Sequence, residues 1–137
     1  MSGEVILIRR ETFSASHVLR ASSLGDEENL ELFGDCSRPN GHGHNYILEV
    51  SIRSKVDSKT GLTMNISELK GVIRREVLQK VDHRHLNLDV PEFEALNPTT
   101  ENLCIVIWNW LQPHLAQLLF EIKIFETEKN IAIYRGE

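Results

Sequence analysis

From residue 42 to residue 56 the chain alternates, with Tyr46, Leu48, Val50 and Ile52 apolar on even positions and Asn45, Glu49, Ser51 and Arg53 polar on odd ones. A period of two belongs to a strand with one face buried and one face wet, so this stretch has to lie on a core as a half-buried strand. Two histidines, His42 and His44, fall on its apolar parity at the strand's start. The same period puts both imidazoles on one face, where they can reach one metal ion from the same side. Gly43 between them keeps the opposite face clear, and Cys36 lies upstream across the intervening residues Ser37, Arg38, Pro39, Asn40 and Gly41.

A site of this kind needs at least one more nitrogen ligand, and His17 is the candidate. Residues 4–17 are rich in β-branched and aromatic side chains, and Val5, Leu7, Phe13 and Ala15 share the parity of His17, which places it at the end of a first strand. Three neutral imidazoles leave the fourth position of a tetrahedral ion open, the arrangement of a catalytic site. Cys36 then has two readings, as a fourth ligand or as a thiolate beside an open position, since a nearby cation favours the thiolate. Cys104 sits beside a helical apolar stripe and reads as a core thiol.

The remaining elements follow from periodicity and punctuation. Residues 18–41 mix small, acidic and turn residues and read as a long functional loop with one short helical turn over 27–33. Asn65 with Glu68 resembles a capping box, and Ile66, Leu69, Val72, Ile73, Val77 and Val81 recur at helical spacing, predicting a first helix over 66–80. A second loop runs over 82–98. Thr99 or Thr100 caps a second helix with the stripe Leu103, Val106, Ile107, Trp110 and Leu111, which Pro113 should end or kink. Two alternating segments, LFEIKIFET and NIAIYRG, form a C-terminal hairpin. The order β-β-α-α-β-β predicts an α+β fold, a single domain over 1–137, with two helices on one face of an antiparallel sheet. The other face keeps Ile6, Ile8, Ile47 and Phe125, and covering it predicts a homo-oligomer.

Composition removes several classes of function. A net charge of −5 with scattered Lys and Arg gives no basic footprint for nucleic acid, though two or three local cations could still hold a small phosphorylated substrate. No stretch has the length and apolarity of a membrane span, no secretory leader is evident, and two widely separated cysteines form no disulfide framework. The expectation is a cytoplasmic protein with no membrane partner.

Two further groups could carry chemistry. Asp82 and His83 can meet in a loop, where the carboxylate would fix the tautomer of the imidazole, with His85 as a competing histidine and plain solvated charge as the inert alternative. Glu126 takes the next apolar-parity position after Phe120, Ile122 and Ile124. A carboxylate there is either exposed at the strand's end or is a fork for two parallel N–H donors of a ligand.

The stretches DEENLELFGDCSRPNGHGHNY, GLTMNISELK, VDHRHLNLD, NPTTENL and IFETEKNIAIYRGE closely resemble the 6-pyruvoyl-tetrahydropterin synthase family of the animal type. The resemblance runs from about Phe13 to Glu137 and keeps the family's motifs in order. It implies the tunnelling fold (T-fold), in which trimers close their sheets into a barrel and two trimers stack as a hexamer with active sites at subunit interfaces. It implies His17, His42 and His44 as zinc ligands, Cys36 as the base, Asp82 and His83 as a proton relay, and Glu126 as the pterin anchor, with Thr99, Thr100 and Glu101 completing the pterin pocket. The implied reaction is a zinc-dependent elimination of triphosphate from 7,8-dihydroneopterin triphosphate to give 6-pyruvoyl-tetrahydropterin, with magnesium accompanying the triphosphate. Arg10, Arg20 and Arg38 are the candidate triphosphate contacts.

Three rivals remain. A 6-carboxytetrahydropterin synthase or neopterin-aldolase-type relative shares the fold, but its spacing to the H-G-H is shorter or its Cys is replaced by Glu. A cupin would use His42, His44 and Glu49, yet Glu49 has the opposite strand parity. A non-enzymatic zinc-stabilised domain would take Cys36 as its fourth ligand.

Overall fold

The alternating segment builds the centre of the sheet. The computed structural model describes residues 3–137. β1 (Glu4–His17) and β2 (His42–Lys55) pair antiparallel along their whole length, with Phe13 opposite Tyr46, Ala15 opposite His44 and His17 opposite His42. This register puts the odd positions of β1 and the even positions of β2 on one face, where the Phe13 and Tyr46 rings stack with centroids 4.9 Å apart. Tyr46, Leu48, Val50 and Ile52 are fully buried there.

Beyond β2 lies the C-terminal hairpin, β4 (Leu119–Phe125) and β5 (Ile131–Tyr134), both antiparallel. The sheet order is β3-β1-β2-β4-β5, and β3 (Arg84–His85) adds a two-residue parallel ladder to β1 at Ala15 and Ser16. The second loop of the sequence reading therefore carries the edge of the sheet. Two residues have no periodicity to read, so β3 leaves no signal.

The helices cover the buried face. α1 (Asp26–Phe33) occupies the expected turn in the first loop. α2 (Ile66–Ile73) starts on Asn65, whose side chain accepts the Ser67 N–H at 2.8 Å, and continues through a π-helical turn, Arg74–Leu78, into α3 (Gln79–Val81). Leu69, Ile73, Val77 and Val81 pack fully buried, whereas Ile66, counted in the stripe, lies at the exposed side of the first turn. α4 (Leu86–Asp89) follows β3, and α5 (Thr100–Leu115) is capped by Thr99, which accepts the Asn102 N–H at 3.2 Å. Pro113 does not end α5. It lies in the last turn, where its missing N–H forgoes a single backbone bond, and the helix stops instead at Ala116, whose φ is 49°. Leu103, Ile107 and Leu111 of α5 are buried against the sheet, with Cys104 in the same core. On the opposite face Ile6 and Ile8 stay exposed and Ile47 and Phe125 half-buried. Among the described residues no helix is long and apolar enough to cross a membrane.

Candidate active site

The antiparallel register brings the histidines together at the end of the buried face. His17 and His42 are directly opposed, and His44 faces Ala15, whose small side chain leaves the neighbouring space to the rings. The three ring centroids lie 4.7 to 5.1 Å apart in edge-to-face arrangements, and one nitrogen from each ring falls within 4.8 Å of the others. His17 is fully buried, and its Nδ1 lies 2.9 Å from the carbonyl oxygen of Pro98. A carbonyl only accepts, so Nδ1 carries the proton and Nε2 keeps its lone pair. That Nε2 is 3.1 Å from Nε2 of His42, a separation that calls for a shared proton or a common cation. Nε2 of His44 is buried with no hydrogen-bond partner among the described residues.

Burial above all, opposed by the Pro98 bond, lowers the pKa of His17 to about 4, and burial followed by the neighbouring His44 lowers that of His42. Both rings are held neutral at neutral pH, the form that ligates metal. A converging set of three imidazole nitrogens with an outer carbonyl fixing one tautomer is the donor set of a metal site. The phenolic oxygen of Tyr46 lies 3.3 Å from His17 Nδ1 and adds to that outer support. Tyr46 continues the parity of His42 and His44, so its place was readable; the carbonyl of Pro98 carries no side-chain signal.

Glu126 stands beside the histidines. It follows β4 two residues after Ile124, which pairs with Leu48, and its Oε2 lies 3.9 Å from His17 Nε2 and 4.0 Å from His44 Nε2. The same oxygen accepts from Thr100 Oγ1 at 2.9 Å. Thr99, Thr100, Glu101 and Glu126 line one cleft of about 710 Å³ together with Leu19, Ile131 and Ile133. The structure thus brings the four residues of the expected pterin pocket to one wall.

Cys36 lies half-buried in a 3₁₀ turn, Gly34–Ser37, outside the three-histidine group, and its backbone oxygen accepts the Leu19 N–H at 2.8 Å. Burial first, then the carboxylates of Glu126 and Asp35, push its thiol above the ordinary range, so a cation nearby is what would favour the thiolate. The loop holding it is pinned by asparagines that sequence reasoning passed over. The buried Asn29 accepts the Ala21 N–H at 2.8 Å and donates to the carbonyls of Ala21, Leu24 and Gly25, while Asn87 makes paired bonds with the backbone of Val18. An asparagine in a polar loop looks solvated, and nothing in the sequence marks these two as anchors of the backbone.

Asp82 and His83 do meet. Asp82 Oδ1 lies 3.0 Å from His83 Nδ1 and accepts the Ser14 N–H at 3.0 Å. His83 has a left-handed φ of 61°, held by its N–H bond to Ser14 O at 2.7 Å, and its imidazole is largely exposed. A non-glycine residue kept in that conformation is a strained position of the sort found at functional sites. His83 lines a second cleft, of about 560 Å³, with His44, Asn45, Arg84 and His85, separate from the cleft of the Glu126 wall. His85 sits on β3 with Nδ1 buried and unpartnered among the described residues. The three arginines proposed for phosphate are each already paired, Arg10 with Glu49, Arg20 with Asp26 and Arg38 with Asp35.

Comparison with known proteins points one way. A family model described as 6-pyruvoyl tetrahydropterin synthase matches residues 6–137. The chain is 51% identical over 137 residues to a 6-pyruvoyl tetrahydrobiopterin synthase of Dictyostelium discoideum, covering all of both chains. It is 46% identical over 130 residues to the human 6-pyruvoyl tetrahydrobiopterin synthase, covering 94% of this chain and 90% of that one. The solved structure of Caenorhabditis elegans 6-pyruvoyl tetrahydropterin synthase superposes with a TM-score of 0.94 at 39% identity, over 98% of this chain and 97% of the other.

Proposed function

The chain belongs to the 6-pyruvoyl tetrahydropterin synthase family, and on that premise we propose that it is a zinc-dependent, phosphate-eliminating carbon–oxygen lyase acting on 7,8-dihydroneopterin triphosphate to yield 6-pyruvoyl-tetrahydropterin in tetrahydrobiopterin biosynthesis. The observation that carries this reading is the adjacency of two different binding functions. Three imidazole nitrogens converge within 4.8 Å of one another, and the Glu126 carboxylate stands 3.9 Å from one of them.

His17, His42 and His44 would hold the zinc, which when bound would supply Lewis acidity to the hydroxylated side chain of the substrate. Glu126, kept in place by Thr100, accepts two parallel N–H donors of the pterin ring, and Thr99 and Glu101 complete that wall. Anchoring the ring there turns the side chain toward the three histidines, so the reacting carbons are positioned before any proton moves. Cys36 takes a carbon-bound proton on one side. His83, with its Nδ1–H held by Asp82, handles protons on the other. The carbon–oxygen bond to the triphosphate then breaks with the electron pair leaving on oxygen, and tautomerisation gives the product without an external reductant. Magnesium travels with the triphosphate.

A single catalytic domain over 1–137, a cytoplasmic location and a hexamer built as a dimer of trimers complete the proposal. Asp82 and His83 precede β3 at one edge of the sheet, and Glu126 opens the turn into β5 at the other, which favours sites at the seams between subunits. The test is to incubate the purified protein with dihydroneopterin triphosphate and zinc while following triphosphate release and the pterin product. Stoichiometric triphosphate with 6-pyruvoyl-tetrahydropterin is expected. A carboxy-pterin or an aldehyde product would move the chain to a different activity on the same fold.

A further inference from the structure

The triphosphate is the largest charge on the proposed substrate, and on a chain of net charge −5 it needs local cations. Arg10, Arg20 and Arg38 already have carboxylate partners. Arg74, Arg75 and Arg84 have no ion-pair partner among the described residues, and of these Arg74 and Arg84 line one open cleft of about 550 Å³ with Asp82. Arg84 also lines the cleft that holds His44 and His83.

The acidic groups sharing these walls are engaged locally. Asp82 accepts from Ser14 and contacts His83, and Asp89 accepts the His85 N–H at 2.8 Å. They leave the guanidiniums without a bound carboxylate. The backbone of Arg84 is fixed by the β3 ladder opposite Ala15, and Arg74 opens the π-helical turn, an irregularity that recurs at functional sites. We propose that Arg84 and Arg74 are the triphosphate-binding residues, forming a polyanion site that adjoins the Asp82–His83 pair. The proposal rests on the triphosphate-eliminating reading above and names the recognition of its leaving group. Arg84 follows His83 directly, so wherever His83 meets substrate, in its own subunit or across a seam, Arg84 arrives with it. A planar guanidinium pairs with two phosphate oxygens at once, and retaining the released anion briefly would keep the chemistry away from bulk water.

The test uses inorganic tripolyphosphate and unphosphorylated dihydroneopterin as separate probes of the zinc-loaded protein, measured by calorimetry. Arg84→Gln and Arg74→Gln should each weaken tripolyphosphate binding about 10-fold or more, the loss of one charge-assisted contact. Both variants should leave dihydroneopterin affinity unchanged, and Arg84→Lys should recover part of the lost binding. Arg53→Gln, at the far end of β2, should change neither. In turnover the two glutamine variants should raise KM for the triphosphate substrate far more than they lower kcat. Unchanged tripolyphosphate binding in the Arg74→Gln, Arg84→Gln double variant would overturn the proposal, as would an equal loss of dihydroneopterin binding. If the wild-type protein makes no pyruvoyl product, the lyase reading falls, while the tripolyphosphate titration still decides whether these arginines hold a polyanion.

Discussion

Cys36 is where residue-level chemistry decides between a closed structural metal site and a working one. Its thiol is pushed up by burial and by the carboxylates of Glu126 and Asp35, so the chain's own groups do not activate it. If it is the base, Cys36→Ala keeps a full complement of zinc by elemental analysis and loses roughly 100-fold or more of kcat, the usual scale for removing a general base. Loss of zinc instead would make it a ligand. The histidines were legible because a two-residue period leaves no choice of face: once residues 42–56 form a half-buried strand, His42 and His44 must share the core side, and His17 joins them by the parity of β1. Glu126 was legible for the same reason, as a charge on an apolar parity. Other features were not. The Pro98 carbonyl that fixes the His17 tautomer is backbone, the left-handed φ of His83 has no glycine to announce it, and Asn29 looks like any polar loop residue.

Among the elements, the long strands and the two main helices follow from periodicity sustained over several turns, and what sequence could not yield is short or irregular. β3 has only two residues, and the π-helical turn at Arg74–Leu78 adds a residue to one turn without disturbing the apolar spacing enough to be seen. Pro113 is tolerated in α5 because the last turn has few bonds left to lose. How α5 meets the hairpin has a measurable consequence. Cys104, buried on α5, donates to the Ala132 carbonyl of β5 at 3.4 Å, and burial raises its pKa to about 12 from an ordinary 9.0. A raised acid is fully protonated in both states below the ordinary value, so its contribution is intact there and is lost as pH climbs through the window up to the folded value. Denaturant titrations should show stability falling by up to about 2 kcal/mol between about pH 9 and about pH 10.5 from this group. The Tyr46 hydroxyl, also raised by burial, adds to the fall in the same direction. In Cys104→Ala the alkaline loss should be shallower, even though its stability at neutral pH is somewhat lower. An identical slope in both proteins would remove the thiol from the account.

For the whole molecule, the position of the metal site relative to the core separates an enzyme from a metal-stabilised domain. The main core lies between the sheet and α2, α3 and α5, and the histidines occupy only its end. Chelation should therefore abolish turnover while leaving the far-ultraviolet circular dichroism intact, with activity restored by zinc; unfolding on chelation would fit the non-enzymatic reading. The sheet also has unfinished business at its borders. Ile131 and Ile133 of edge strand β5 are about half exposed, at 46% and 52%, and Ile6 and Ile8 lie exposed on the uncovered face. An exposed apolar edge invites pairing with another copy, and lysine is the usual means of preventing it. Within one chain Ile131→Lys and Ile133→Lys replace side chains already facing water, so the cost to the subunit fold is small. At a seam between sheets the same two charges face burial without partners. Sedimentation should accordingly find the wild-type protein at about six times the 15.7 kDa chain mass and the double variant shifted to smaller species. A wild-type protein that sediments at the mass of one chain would show that the edges are covered by nothing, and that the His83 and Glu126 clefts work within a single subunit.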